Sequence, residues 1–202
     1  MLLIFEICAT VAGLTEGVLL MFNKRIGWVV YIIEIIFTLL FSFFSKLYGD
    51  VANNFVYLIM GIASLFLWRS NRIDKVSRCK LKGILTYVAI SIMGSGLLYV
   101  VLKNSDDPLP LLDAVSTATD FVATYLMMTR KIDTWYVWLF NDIVYCIEYM
   151  LLPNQAFYLF GLNVIWTILA VISLISWKKI MKTENICNEE NIFCREVSPN
   201  KG

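Results

Sequence analysis

The sequence predicts an all-α integral membrane protein of seven spanning helices, arranged as two parallel three-helix repeats with one linker helix between them. Three observations carry that reading. Of 202 residues, 59% are hydrophobic and only 16% charged, and the mean hydropathy is +0.70, whereas soluble domains are about half apolar and a quarter charged. The apolar residues fall into seven stretches close to the ~20 residues that cross a hydrocarbon core. Lysine and arginine gather at alternate ends of those stretches, the bias that sets orientation in a membrane.

Leu2 to Phe22 begins at Met1 without a charged leader and carries Glu6 and Glu16, so it reads as a retained helix rather than a removable signal peptide. Ile26 to Phe44 follows a short basic turn, and Tyr48 to Trp68 ends on a tryptophan. Leu81 to Leu102 is the linker helix. Leu109 to Met128, Trp135 to Leu152 and Ala156 to Trp177 complete the set, with little chain between them. Lipid offers no hydrogen-bond partners, so each stretch must satisfy its own backbone, and stretches this long do not suit tilted barrel strands. Gly13 and Gly17, Gly61, and Gly94 and Gly96 are small residues that let helices approach closely. From Thr183 to Gly202 the chain mixes Asn, Glu, Lys, Pro and Ser with few apolar residues, which predicts a disordered tail dispensable for the fold.

One set of helix ends carries Lys24 and Arg25, then Arg69, Arg72, Lys75, Arg78, Lys80 and Lys82, then Arg130 and Lys131, then Lys178, Lys179 and Lys182. The opposite ends carry Lys46 and Lys103, and the loop Pro153 to Gln155 is uncharged. The expected topology is an N-terminus outside and a C-terminus in the cytoplasm. A net charge of +1 hides this asymmetry, and the cluster from Arg69 to Lys82 reads as a topology signal ahead of a lipid or nucleic-acid site. No histidine is present, which excludes Ser-His and Cys-His nucleophiles and His-ligated zinc or haem. Cys8, Cys79, Cys146, Cys187 and Cys194 have no spacing of metal or redox type, so neither a metal nor a cofactor is expected.

An internal repeat underlies the three-one-three arrangement. "NFVYLIMGIASLFLW" (54–68) and "NVIWTILAVISLISW" (163–177) share an asparagine, an aromatic three residues on (Tyr57, Trp166) and a terminal tryptophan, and both exit into basic residues. Upstream, Trp28 precedes Trp68 by about as much as Trp138 precedes Trp177, which pairs Trp28 with Trp138. The resulting division is 1–68 for the first repeat, 69–108 for the basic loop and linker helix, 109–182 for the second repeat and 183–202 for the tail.

Trp28, "LYGD" at 47–50, Asn54, Tyr57 and Trp68, followed by Trp135-x-x-Trp138-x-x-x-Asp142 and the stretch from Ala170 to Trp177, resemble the PnuC family of nicotinamide riboside transporters over nearly the whole chain, from about Ile4 to Lys179. Four positions depart from the family pattern: Tyr31 and Asn54 stand where glycine and glutamine are usual, and Ser64 and Ser173 where glycines are. They bear on the solute carried, since the family includes carriers of thiamine, riboflavin and deoxynucleosides. The resemblance implies a fold similar to the full-length sugar transporters called SWEETs, a homotrimer in a bacterial inner membrane, and energy-independent uptake with the substrate trapped by cytoplasmic phosphorylation.

An ionisable side chain at the centre of a spanning helix costs at least ~2.5 kcal/mol on the insertion scale and marks a functional site by default. Asp142, Glu148 and Glu34 are the clearest cases. Asp142 lies four residues after Trp138 and seven after Trp135, which places all three on one helical stripe. Indole faces beside a carboxylate suit a flat cation such as nicotinamide riboside, a pyridinium, or thiamine, a thiazolium. Asn54, Asn141 and Asn163 supply both donors and acceptors for a carboxamide or nucleobase edge. With Trp28, Glu34, Tyr57, Tyr145 and Trp166 they complete the candidate substrate-binding set. The alternatives for these positions are ordinary: an interfacial anchor for Trp135, a Ser or Thr partner for Asp142, and interhelical pegs for Asn54 and Asn163. Glu6, Glu16, Asp113 and Asp120 are given no role.

The expected activity is therefore facilitated uptake of a small cationic aromatic or nucleoside-like solute, with nicotinamide riboside first. The chain has no Walker sequence with which to drive transport by ATP hydrolysis. A membrane enzyme lacks its usual histidines or clustered acids, and a seven-helix sensor lacks both an external ligand domain and a helix-borne lysine for retinal.

Overall fold

The structure, a computed structural model, describes residues 2–45, 48–69, 75–105, 107–151 and 157–197. Seven helices follow in order: α1 (Leu2–Met21), α2 (Ile26–Phe44), α3 (Tyr48–Arg69), α4 (Leu81–Leu102), α5 (Pro110–Met128), α6 (Thr134–Leu151) and α7 (Phe157–Val197). Lys46, Leu47 of the "LYGD" motif and the Pro153–Gln155 loop lie outside the described residues. Among the described residues, four segments are long and apolar enough to cross a membrane: α1, α2, α4 and Phe160–Glu184 of α7; Asn53–Trp68 of α3 is a shorter apolar helix. α5 and α6 carry more polar residues, and they turn Ser116, Thr119, Thr124, Asn141 and Asp142 inward.

Each of six helices packs on two neighbours in the order α1, α2, α3, α5, α6, α7 and back to α1, closing a ring; among the described residues α4 packs on α5 alone, from outside it. In lipid, burying apolar surface drives helix association weakly, so close packing and hydrogen bonds hold such a ring together. Gly94 of α4 serves that purpose, since a Cβ there would lie 3.3 Å from the Ala118 Cβ. Gly96, expected to do the same, faces open space within 4 Å.

The two blocks repeat each other in their hydrogen bonds. In the turn after α1, Asn23 N donates to Leu20 O, Lys24 N to Leu19 O, Gly27 N to Lys24 O and Trp28 N to Arg25 O; after α5 the same four bonds join Arg130 to Met127, Lys131 to Leu126, Thr134 to Lys131 and Trp135 to Ile132. Asn23 and Arg130 both take left-handed backbone angles, φ 55° and 52°, a conformation that asparagine tolerates better than arginine. Ser64 and Ser173 are both buried and donate back to Met60 O and Leu169 O.

This register corrects the expected pairing of Trp28 with Trp138. Trp28 corresponds to Trp135, and Tyr31 to Trp138. The spacing rule assumed a constant distance from the second helix to the terminal tryptophan, but the second block holds two more residues between its second and third helices.

Four tryptophans close the basic end of the ring. Trp28 meets Trp68 edge to face with centroids 5.8 Å apart, and Trp135 meets Trp177 the same way at 5.5 Å. Such pairs contribute about 0.5–1.5 kcal/mol beyond their packing area. Trp68 Nε1 donates to Met128 O at the end of α5, and Trp177 Nε1 to Leu20 O at the end of α1, so each block is tied to the last turn of the other's first helix, at acceptors one residue apart in the repeat.

A strap between α3 and α4 crosses this end. Ser77 N donates to Arg130 O and Ser77 O accepts from Ile132 N, Lys131 Nζ donates to Ser77 Oγ, and Cys79 N donates to Asp133 Oδ2 at 2.6 Å. Val76 is buried beside Ile132 and the tryptophans, and its N–H donates to Glu184 Oε2 at 2.8 Å. Glu184 belongs to the segment from Thr183 expected to be disordered. There α7 continues as helix to Val197, a stretch free of the helix-breaking Gly and Pro.

Candidate functional site

Inside the ring is a cavity of about 440 Å³. Every ring helix contributes one stripe to it, spaced by three or four residues as a helical face requires. From α1 come Gly13, Glu16, Gly17 and Leu20; from α2, Trp28, Tyr31, Glu34 and Ile35; from α3, Asn54 and Tyr57. From α5 come Asp120, Thr124 and Met127; from α6, Trp135, Trp138, Asp142, Tyr145 and Tyr149; from α7, Leu162, Asn163, Trp166, Leu169, Ala170 and Ser173. The linker helix α4 contributes nothing.

Ten of the eleven candidate residues therefore line one hollow: Trp28, Glu34, Asn54, Tyr57, Trp135, Trp138, Asp142, Tyr145, Asn163 and Trp166. Asn141 does not. It is fully buried between α5 and α6, where its Oδ1 accepts from Thr119 at 2.8 Å and its Nδ2 donates to Asp120 Oδ1. Asn141 sits one residue before Asp142, about 100° around the helix, and that rotation turns it from the cavity into the helix interface. Glu148, the third acid noted at membrane depth, is also off the cavity wall.

The sequence reading missed Glu16, Asp120, Tyr31 and Tyr149. Glu16 and Asp120 are the corrections that matter, because both carboxylates were given no role. Their signal lay in register: Glu16 shares a face with Gly13, Gly17 and Leu20 on α1, and Asp120 with Thr124 and Met127 on α5.

The wall joins acids to aromatic faces. Asp120 accepts from Tyr145 Oη at 2.7 Å and from Asn141, Tyr145 stacks on Tyr149 at 5.8 Å, and Tyr57 stacks on Phe121 at 4.9 Å. Glu34 Oε1 accepts from Thr38 Oγ1 at 2.8 Å. Asp142 lies against Thr167 of the neighbouring helix, while its Oδ2 has no protein partner. Asn163 Nδ2 donates to Asp142 O at 2.7 Å and approaches Cys146 Sγ at 3.2 Å, so it pins α7 to α6 and faces the cavity as well.

Glycines make room for two aromatics. A Cβ at Gly17 would lie 2.6 Å from the Trp166 ring, and one at Gly61 would lie 2.8 Å from Tyr31.

Tryptophans divide by what their N–H groups do. Trp68 and Trp177 spend theirs on backbone carbonyls. Trp28, Trp135 and Trp138 line the cavity with buried Nε1 atoms that have no partner among the described residues.

No lysine or arginine is among the described residues of the wall, which holds four carboxylates: Glu16, Glu34, Asp120 and Asp142. A second hollow of about 270 Å³ adjoins it between α1, α2 and α7; Glu34 and Trp166 belong to both, and Glu6 to the second alone.

The sequence profile of the nicotinamide mononucleotide transporter family matches residues 3–179. This chain belongs to that family. Family membership makes it a multi-pass membrane protein of a transporter lineage. A curated member, the nicotinamide riboside transporter PnuC of Neisseria mucosa, is 24% identical over 191 residues, which cover 86% of this chain and 73% of that protein. Among solved structures, the crystal structure of the vitamin B3 transporter PnuC matches with a TM-score of 0.69 at 22% identity, over 87% of this chain and 81% of that one. The ring of six helices with an outlying fourth thus shares its fold with that structure.

Proposed function

We propose that this protein is a facilitative carrier that takes up nicotinamide riboside across a bacterial inner membrane, with the solute trapped by phosphorylation in the cytoplasm. One observation carries the reading: in a member of this transporter family, a closed ring of helices surrounds a hollow with four carboxylates, several indole and phenol faces and no described cation. A pyridinium cation matches that lining. Aromatic faces attract it by about 0.5–2 kcal/mol per contact, and carboxylates compensate its charge where water is scarce. Thiamine carries the same kind of charged flat ring and is the second reading. Riboflavin and deoxynucleosides are neutral and leave the acids unmatched.

The remaining parts of the proposal follow the same line. The basic ends, including the tryptophan floor and its strap, face the cytoplasm, with the N-terminus outside. Three copies assemble in the membrane.

Uptake into proteoliposomes tests it directly. Labelled nicotinamide riboside should equilibrate without ATP and at a rate indifferent to an imposed pH gradient, with thiamine competing more strongly than riboflavin or deoxynucleosides. A purified chain that neither binds nor moves nicotinamide riboside would end this reading.

A further inference from the structure

Counting the hydrogen bonds of the four cavity acids separates them. Asp120 is occupied by Tyr145 and Asn141, and Glu34 by Thr38. Asp142 lies near Thr167 and has one oxygen, Oδ2, without a partner among the described residues. Glu16 has no protein hydrogen bond to its Oε2, which is sealed from solvent, and the charge within electrostatic range is another acid, Glu34.

The repeat places no carboxylate at the equivalent position of the other half. In the register set by the two turns, Glu16 of α1 corresponds to Ala123 of α5, which is fully buried and closes its half of the ring with a methyl group. A carboxylate oxygen sealed from solvent without a partner costs free energy that the equivalent alanine does not. Its neighbours point to a ligand. Trp28, 0% exposed, and Trp135, 6% exposed, both face the same cavity with unpartnered Nε1 donors. The Trp166 ring lies against the backbone of α1 at Gly17, the next residue, and Tyr31 is within electrostatic range of the Glu16 carboxylate.

We propose that Glu16 is the charge-selecting residue of the cavity: it receives the cationic ring of the solute between the Tyr31 and Trp166 faces, and the indole N–H groups of Trp28 and Trp135 take the neutral, acceptor-bearing part. The pseudo-symmetry of the ring is broken at this position, so the solute has one preferred orientation. This rests on the proposed carrier function and adds which carboxylate reads the charge.

The test compares nicotinamide riboside with its uncharged 1,4-dihydro form, which keeps the ribose and carboxamide. In binding and proteoliposome uptake by the full chain, the wild type should favour the cation. Glu16→Gln, nearly the same shape, should reduce that preference by about tenfold or more, the loss expected when a desolvated charge pair loses one member; Glu16→Asp should keep it. On the unmutated protein, saturating nicotinamide riboside should protect Glu16 from carbodiimide modification, read by peptide mass spectrometry, so the proposal is answerable even if a variant folds poorly. An unchanged preference in Glu16→Gln, or modification indifferent to the solute, overturns the role of Glu16 and leaves the carrier function standing. Failure of the wild type to bind either form overturns both.

Discussion

Asp142 and Asp120 lie in the same hollow and meet the cost of a carboxylate at membrane depth differently. Asp120 is held by two donors and positions Asn141 and Tyr145 in turn; Asp142 keeps an open oxygen beside the Trp138 indole on the same stripe. Trp138→Ala and Asp142→Ala should therefore each weaken binding of a cationic solute, by about 0.5–2 kcal/mol for the indole and more for the acid, with little change in thermal stability. Calorimetric titration and thermal shift of the same preparations check this, and unchanged affinity in both would mean that the solute sits elsewhere. Gly17→Ala should behave differently. Its new methyl would meet Trp166 at 2.6 Å, and overpacking of this kind costs about 1–3 kcal/mol. A lower melting temperature together with weaker binding is expected, because the indole must move.

The strap between α3 and α4 gathers polar anchors from the α5–α6 turn and from α7 over a buried valine. Burial, the charge of Asp133 and its hydrogen bonding push the Cys79 thiol up to about 11, against a usual value near 9. A raised value keeps the thiol protonated at neutral pH, so the reactive thiolate is scarce there and grows only as pH approaches 11. With the other four cysteines replaced by serine, maleimide labelling of Cys79 should be slow at pH 7.5 and should still be rising at pH 10. Asp133→Asn removes the negative charge while keeping an acceptor for Cys79 N, so its labelling curve should shift to lower pH. An unshifted curve would show that Asp133 does not act on the thiol.

Six helices in a ring make each block half of a container. Neither half encloses a cavity, since the wall takes α1, α2 and α3 from one and α5, α6 and α7 from the other. Coexpressed fragments cut after Ser105, between α4 and α5, should copurify and restore uptake, and either fragment alone should transport nothing. The tryptophan ties between blocks, Trp68 to Met128 and Trp177 to Leu20, are what should reunite them. Fragments that fail to associate would show that the covalent linker, rather than the interface, holds the ring closed.

Helix number, the repeat and most of one stripe per helix were legible in the amino acids, because each depends on local periodicity: apolar runs of spanning length, and tryptophans three or four residues from acids and amides. Position around the ring was not. Asn141 and Asp142 are adjacent and similar in chemistry, yet one became a peg and the other a wall residue, a choice made by the rotation of α6 against α5. Glu16 and Asp120 were named but given no role: register groups each with the small or polar residues of its own helix face, yet only the closing of the ring shows that this face borders a hollow rather than lipid or water. The pairing of Trp28 with Trp135 likewise needed the two turns to be superposed through their hydrogen bonds. Sequence alone settled what each helix is; the closing of the ring, which sets every helix's rotation at once through contacts far apart in the chain, settled which residues look inward.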